Sequence, residues 1–340
     1  MSDGRYSRQE RFAPIGRSGQ ALLSKKHVLL IGAGALGTGN AEVLVRAGVG
    51  RLTIVDRDYV EASNLQRQQL YSEEDANQKM PKAAAAKSRL RDINSSVGIH
   101  AVVEDVSFIK LEELAEDADL ILDATDNFET RLIINDLSQK LNIPWIYGAC
   151  VGSYGMTFTV IPGETPCFQC LWKSIPQGGQ TCDTAGIISP AVMMVVAYQS
   201  AEALKILSEN YAALHNKLVT FDVWENLHSE IGVSKLKKAD CPSCGLAPSY
   251  PYLSAENLMK TSVLCGRDTV QLRPSSRQPV DLPQLEARLL SQGFQTARNP
   301  YLLSLTQDTN RMVIFYDGRV LVHGTKDVIE AKKMYTNVFG

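Results

Sequence analysis

Residues 27–56 read HVLLIGAGALGTGNAEVLVRAGVGRLTIVD. His27 to Ile31 is a short apolar run ending in glycines, the pattern of a strand buried in a parallel sheet. Gly32, Gly34 and Gly37 then spell GxGxxG, with Ala35 inside the loop; Ala41 to Ala47 reads as a helix, and Arg51 to Val55 as a second strand. Glycine permits the tight turn from strand to helix and lets backbone amides approach phosphates, while the helix N-terminus faces negative charge. Asp56 closes the second strand 19 positions after Gly37, where a carboxylate can take ribose hydroxyls. The unit predicts nucleotide binding. It suits NAD as well as ATP, and close packing of helix on strand can by itself select such glycines.

The alternation of strand and helix continues downstream. Pro81 opens a helix through Ala83 to Ala86 towards Leu90. Ile99 to Val103 is strand-like, and Asp119 to Asp123 (DLILD) is another buried strand. Asp126 is placed to cap a helix from about Phe128 to Leu141, and Pro144 to Ala149 supplies a further strand. The fold class predicted is α/β, a Rossmann-like, doubly wound sheet. After Val151 the pattern turns antiparallel: Thr157 to Ile161 is a strand, Pro190 opens a long apolar helix to about Leu207, and Leu218 to Val223 with Ser229 to Val233 form a hairpin. The stretch APSYPYLSAEN marks a boundary that divides the chain into 1–247 and a small C-terminal α/β domain, 248–340. There Val270 to Arg273 is a strand and Leu282 to Leu290 a helix. Met312 to Tyr316 and Arg319 to His323 pair around an Asp317-Gly318 turn, and Asp327 to Val338 is a helix.

Bulk properties exclude several classes. A net charge of -2 over 340 residues offers no electrostatic footprint for nucleic acid or an anionic membrane. The N-terminal MSDGRYSRQERF has no apolar core of a secretory signal, and no window approaches the roughly 18 apolar residues of a membrane span. Of seven cysteines, four fall into two CxxC pairs, Cys167/Cys170 and Cys241/Cys244. An odd count with this spacing points to metal in a reducing compartment, and a cytoplasmic protein is expected. Four thiolates make a closed tetrahedral set, so the expected ion is a structural Zn2+ that ties a mid-chain loop to the end of the first domain. Cys150, at a strand end, reads as core.

The second group of candidates separates ATP from NAD. In SNLQRQ, Ser63, Asn64, Arg67 and Gln68 follow the ribose-binding strand, and Lys82 follows Pro81 in the first turn of its helix. A lysine there opposes the helix dipole by roughly 0.3–1 kcal/mol and needs an anion to offset it. Two cations beside a nucleotide suit a triphosphate attacked at its α-phosphorus. Asp126 and Asn127 follow the DLILD strand at its C-terminal end, where a carboxylate can hold Mg2+ alongside phosphate oxygens.

The ordered motifs RYSRQ, GAGALG, IVDRD, SNLQRQ, MPK, DATDN, CFQC, TCDTAGIISP and CPSCG, from Arg5 to Gly245, resemble the ThiF/MoeB family of ubiquitin-activating-enzyme-like adenylyltransferases. That resemblance implies that Asp56 binds ribose, that Asn64, Arg67 and Lys82 contact phosphates, with Lys79 a weaker alternative to Lys82, and that Asp126 holds Mg2+ with Asn127 beside it. It further implies a homodimer in which Arg8 reaches the partner's triphosphate, and a substrate that is a ubiquitin-like sulfur-carrier protein whose terminal glycine carboxylate is adenylated and then meets a sulfur donor. The thiamine and molybdopterin pathways both stay open. Cys182, in TCDTAG, is at once a candidate for sulfur or acyl transfer and a packed thiol. Cys265 does not fit a rhodanese loop, because VQLRP continues as a strand. The rival expectations are an NAD-dependent oxidoreductase with structural zinc, an enzyme adenylating a peptide or small-molecule carboxylate, and a zinc-knuckle binding module.

Overall fold

The computed structural model describes residues 4–105, 107–172, 185–254, 262–263, 269–272, 279–307 and 310–339, the side chains of 262, 263 and 307 excepted. Cys182 and Cys265 lie outside the described residues. Two compact units divide between Leu258 and Met259. This is later than the composition boundary at 247/248, because the intervening turn is packed on the first unit: Tyr252 N–H donates to the Asp136 carboxylate at 2.9 Å, and Tyr252 and Leu253 border that unit's core.

The first unit opens with α1 (Ser7–Arg11) and α2 (Gly16–Leu23), then β1 (His27–Ile31), α3 (Ala35–Ala47), β2 (Arg51–Val55), α4 (Glu73–Asn77), α5 (Lys82–Ile93), β3 (Gly98–Val102), α6 (Phe108–Ala115), β4 (Leu120–Asp123), α7 (Phe128–Leu141), β5 (Trp145–Val151), β6 (Tyr154–Val160), α8 (Phe168–Trp172), α9 (Ser189–Leu207), β7 (Lys217–Asp222) and β8 (Leu227–Gly232). The sheet order is β3-β2-β1-β4-β5-β6-β7-β8, parallel through β5 and antiparallel from β6 onward. Alternate residues of β1 explain the double winding. Val28 and Leu30 join a core with α3, α5 and α9, whereas Leu29 and Ile31 join another with α6 and α7. A strand buried on both faces must be apolar throughout, as HVLLI is.

The helix expected from Ala41 begins instead at Ala35. Its early glycines discourage a helix by intrinsic propensity, but packing requires them: a Cβ on Gly37 would overlap the Gly32 carbonyl, and one on Gly39 would press on Val196 of α9. Tertiary contact overrides propensity here. The expected helix at Pro190 is α9, with proline in its first turn. No helix among the described residues is long and apolar enough to cross a membrane.

The second unit is a six-stranded sheet, ordered β11-β12-β13-β14-β10-β9, built from β9 (Ser262–Val263), β10 (Thr269–Leu272), β11 (Gln295–Arg298), β12 (Leu302–Gln307), β13 (Asn310–Phe315) and β14 (Val320–His323). Its helices are α10 (Leu282–Ser291) and α11 (Val328–Phe339). The β13–β14 hairpin turns through Gly318 at φ 84°, as the Asp317-Gly318 pair predicts. Strands β9, β11 and β12 were not expected from sequence.

Candidate active site and metal centre

The glycine loop joins β1 to α3. Gly32 stands at φ 96°, where an added Cβ would also strike the Ala124 carbonyl. Gly34 is the N-cap of α3 and offers no capping side chain, and among the described residues, its chain neighbours aside, the nearest atom to where its Cβ would be is Gln68 Nε2 at 4.0 Å. The loop therefore leaves the first amides of α3 open, which is the geometry that receives phosphate. Ala35 begins the helix at the edge of this opening.

Asp56 sits across the loop. Its two oxygens accept the Ala33 and Asp58 backbone N–H groups, each at 2.6 Å. Burial pushes its carboxyl above the ordinary range, a shift that the Lys82 cation and these two donors oppose. Lys82 begins α5 and is only 3% exposed. The anion that its place demands is Asp58, whose Oδ2 lies 3.3 Å from the ammonium and whose carbonyl accepts the Lys82 N–H at 2.9 Å. Sequence reasoning missed Asp58, although IVDRD contains it. The Tyr71 hydroxyl, within hydrogen-bond distance of the Ala33 (2.7 Å) and Lys82 (3.2 Å) carbonyls, ties the two segments together. Lys79, at φ 49°, follows α4.

The SNLQRQ segment supplies the rim. Arg67 is half-buried and donates to the Ser63 carbonyl at 2.9 Å, and Ser63 is exposed. Asn64 is buried and accepts the Glu61 N–H at 3.2 Å, a local capping contact that positions its own turn. Gln68 is buried beneath Gly34, and its Oε1 has no hydrogen-bond partner among the described residues.

At the end of β4, the capping residue of α7 is Asn127, whose side chain accepts the Thr130 N–H at 2.9 Å. This corrects the expectation that Asp126 caps the helix. The Asp126 carboxylate is exposed and accepts no hydrogen bond among the described residues, so it stays available to a hard cation. Beneath it lies a buried network that sequence did not reveal. Arg131 pairs with Asp123 at 3.0 Å, Gln199 donates to the Asp123 carbonyl at 2.9 Å, and Asn40 donates to Gln199 at 2.8 Å.

Arg8 does not lie on a free arm. Helix α1 is docked on its own chain: Gln9 donates to the Ala47 carbonyl at 3.0 Å, and Asn94 donates to the Tyr6 hydroxyl at 2.8 Å. The Tyr6 ring fills the space over Gly48, leaving Arg8 exposed and without a hydrogen bond or ion pair among the described residues.

Cys167 and Cys241 approach to 3.6 Å, as do Cys170 and Cys244, and all four sulfurs lie within 4.8 Å of one another. A tetrahedral zinc with bonds of about 2.3 Å needs sulfur–sulfur edges of about 3.8 Å, so these residues fit the ion. Burial pushes the Cys170 thiol up to about 11, and a bound divalent cation reverses that by deprotonating its ligands. Cys150 is partly exposed near the end of β5 and lies outside the cluster.

A family model described as the ThiF family matches residues 6–243. The chain is 55% identical over 337 residues to the sulfur carrier protein ThiS adenylyltransferase of Bacillus subtilis, covering 99% of each. It is 35% identical to the enzyme of the same description from Escherichia coli over 73% of this chain and 97% of that one. Among solved structures, E. coli MccB with ATP superposes with a TM-score of 0.61 at 22% identity, over 72% of this chain and 75% of MccB, a likeness of fold. The family model thus runs from Tyr6, through the glycine loop, Lys82 and Asp126, to Ser243, one residue short of Cys244 of the cysteine cluster, and the chain belongs to the ThiF family.

Proposed function

We propose that this chain uses ATP to adenylate the C-terminal carboxylate of a small ubiquitin-like sulfur-carrier protein, releasing pyrophosphate and leaving an acyl-adenylate for a sulfur donor. The observation that carries the nucleotide chemistry is Lys82, an almost fully buried cation kept at a helix N-terminus by one carboxylate, beside Asp56 and the open end of α3. A dinucleotide oxidoreductase gives Lys82, Arg67 and Asp126 no task. The carrier follows from the full-length kinship with the ThiS adenylyltransferase of Bacillus subtilis, which extends through the second unit and favours a carrier of ThiS type.

In this reaction an oxygen of the carrier carboxylate bonds to the α-phosphorus. The bond from that phosphorus to the bridging oxygen breaks, and its electron pair leaves on pyrophosphate. Asp56 takes the ribose hydroxyls, and the α3 amides receive phosphate oxygens. Lys82 and Arg67 offset the developing charge, with Ser63, Asn64 and Gln68 shaping the pocket. Asp126, with Asn127 beside it, would hold Mg2+, which would supply further charge neutralisation at the phosphates.

Arg8 completes the site from a second subunit. Helix α1 is anchored beside Ala47 and Gly48, at the opposite end of α3 from Gly34. A helix of 13 residues is about 20 Å long, so Arg8 is too distant to serve its own glycine loop. This supports a homodimer with composite sites.

The test is to incubate the purified protein with MgATP and a ThiS-type carrier, follow carrier-dependent ATP–pyrophosphate exchange, and weigh the carrier by mass spectrometry. Exchange and a carrier–AMP adduct are expected. Hydride transfer to NAD without exchange would overturn the assignment.

A further inference from the structure

We propose that Arg131 is the positioning residue for the loop that presents Asp126, and that it thereby sets the magnesium-dependent part of nucleotide binding. The proposal rests on the reading of Asp126 as the magnesium ligand.

Among the described residues Asp126 accepts no hydrogen bond, though it feels the Arg57 and Arg131 charges, and its place depends on its neighbours. On one side Asn127 caps α7. On the other, Thr125 is gripped from two directions. Its N–H and hydroxyl both donate to Asp123 Oδ1, at 2.9 and 2.7 Å. Its carbonyl accepts from Arg131 Nη2 at 2.6 Å. The same guanidinium donates through Nε to Asp123 Oδ2 at 3.0 Å and through Nη2 to the Gly148 carbonyl at 3.1 Å. One side chain therefore joins the end of β4, the middle of β5 and the loop between β4 and α7.

The surroundings leave the guanidinium little freedom. Arg131 is 5% exposed, and its guanidinium carbon lies 5.0 Å from the centre of the Tyr147 ring and 5.5 Å from that of Phe128. Asp123, its anion, is wholly buried. Engaging three acceptors in different directions needs a planar fork of donors, which a lysine ammonium does not provide. A general packing role would support the whole site equally. Here the hydrogen bonds of Arg131 end on the residue next to Asp126 and reach neither Asp56 nor the glycine loop, although the Ala124–Thr125 backbone they brace lies beside Gly32.

The decisive variant is Arg131→Lys, with zinc content and thermal midpoint measured on the same preparation. Binding of α,β-methylene-ATP with Mg2+, and of AMP without metal, is measured by calorimetry. Supporting-shell losses of this kind weaken metal affinity about ten- to hundredfold, and that loss is expected for the magnesium complex while AMP binding stays as in the wild type. If Arg131→Lys does not fold, the double variant Arg131→Gln/Asp123→Asn removes both buried charges and is expected to show the same split. Equal loss for both ligands, or loss for neither in folded protein, would overturn the proposal. Asp126→Asn is run alongside. If it weakens the magnesium complex while the Arg131 variant does not, only the positioning role fails. If Asp126→Asn has no effect, the metal reading fails and takes the proposal with it.

Discussion

The nucleotide site and the cysteine cluster belong to one unit, yet they treat their polar groups in opposite ways. At the cluster four sulfurs converge within 4.8 Å, three of the cysteines are buried, and one central ion would satisfy them all. At the nucleotide site the groups remain partly unsatisfied. Among the described residues no side chain caps the N-terminus of α3, Gln68 Oε1 is buried without a partner, and Asp126 is exposed. Lys82 is held by an internal carboxylate, that of Asp58. A closed set of soft ligands locks a loop permanently. An open set of amides, cations and a hard oxygen ligand can admit a triphosphate and release its products. Turnover requires that incompleteness, and a structural metal excludes it.

The largest expected effect tests whether the open site depends on Asp126. Asp126→Ala should lower ATP–pyrophosphate exchange by roughly 10²–10³-fold, the scale of losing one electrostatic group aimed at the reacting charge. Zinc content and thermal midpoint should not change. Exchange near the wild-type rate in that protein would place magnesium elsewhere.

The closed site should respond in the reverse sense. Cys170→Ser is expected to abolish stoichiometric zinc and lower the thermal midpoint by roughly 10 °C, on a scale of a few degrees per kcal/mol of structural metal energy lost. The fraction that remains folded should still exchange pyrophosphate. Full zinc content by elemental analysis would show that the four sulfurs do not form the site.

The smallest signal is a recovery. Neither Arg8→Ala nor Lys82→Ala subunits should be active alone. Equal mixing with subunit exchange makes about half the dimers mixed, each with one intact composite site, so roughly a quarter of wild-type exchange should return. Absence of recovery, with exchange of subunits verified independently, would exclude Arg8 from the partner's site.

Much of this molecule was legible from local order alone. HVLLI must be a strand with both faces covered, GAGALG must turn tightly, and the spacing of Cys167, Cys170, Cys241 and Cys244 suits one ion, because strand burial, backbone freedom and ligand number are properties of short segments. Even there the helix start was misplaced, since Gly37 and Gly39 answer to contacts with Gly32 and Val196. In the second unit, β11 escaped because QTAR is polar and mostly exposed, and β12 because Leu302, Leu303, Ser304 and Leu305 are all buried and show no alternation.

What only the tertiary structure decided is which charge meets which. Asp58 and Lys82 are 24 positions apart, Asn40 and Gln199 are 159 apart, and Arg131 takes acceptors from three segments. No periodicity encodes such pairs. Sequence by itself determined the strand-glycine-helix unit and the metal-binding spacing, because each rests on neighbouring residues and backbone geometry. The choice of Asn127 over Asp126 as cap, and the docking of α1 at the far end of α3, depend on chain segments meeting in space. Those two facts leave the Asp126 carboxylate exposed and anchor α1 at the end of α3 away from the glycine loop.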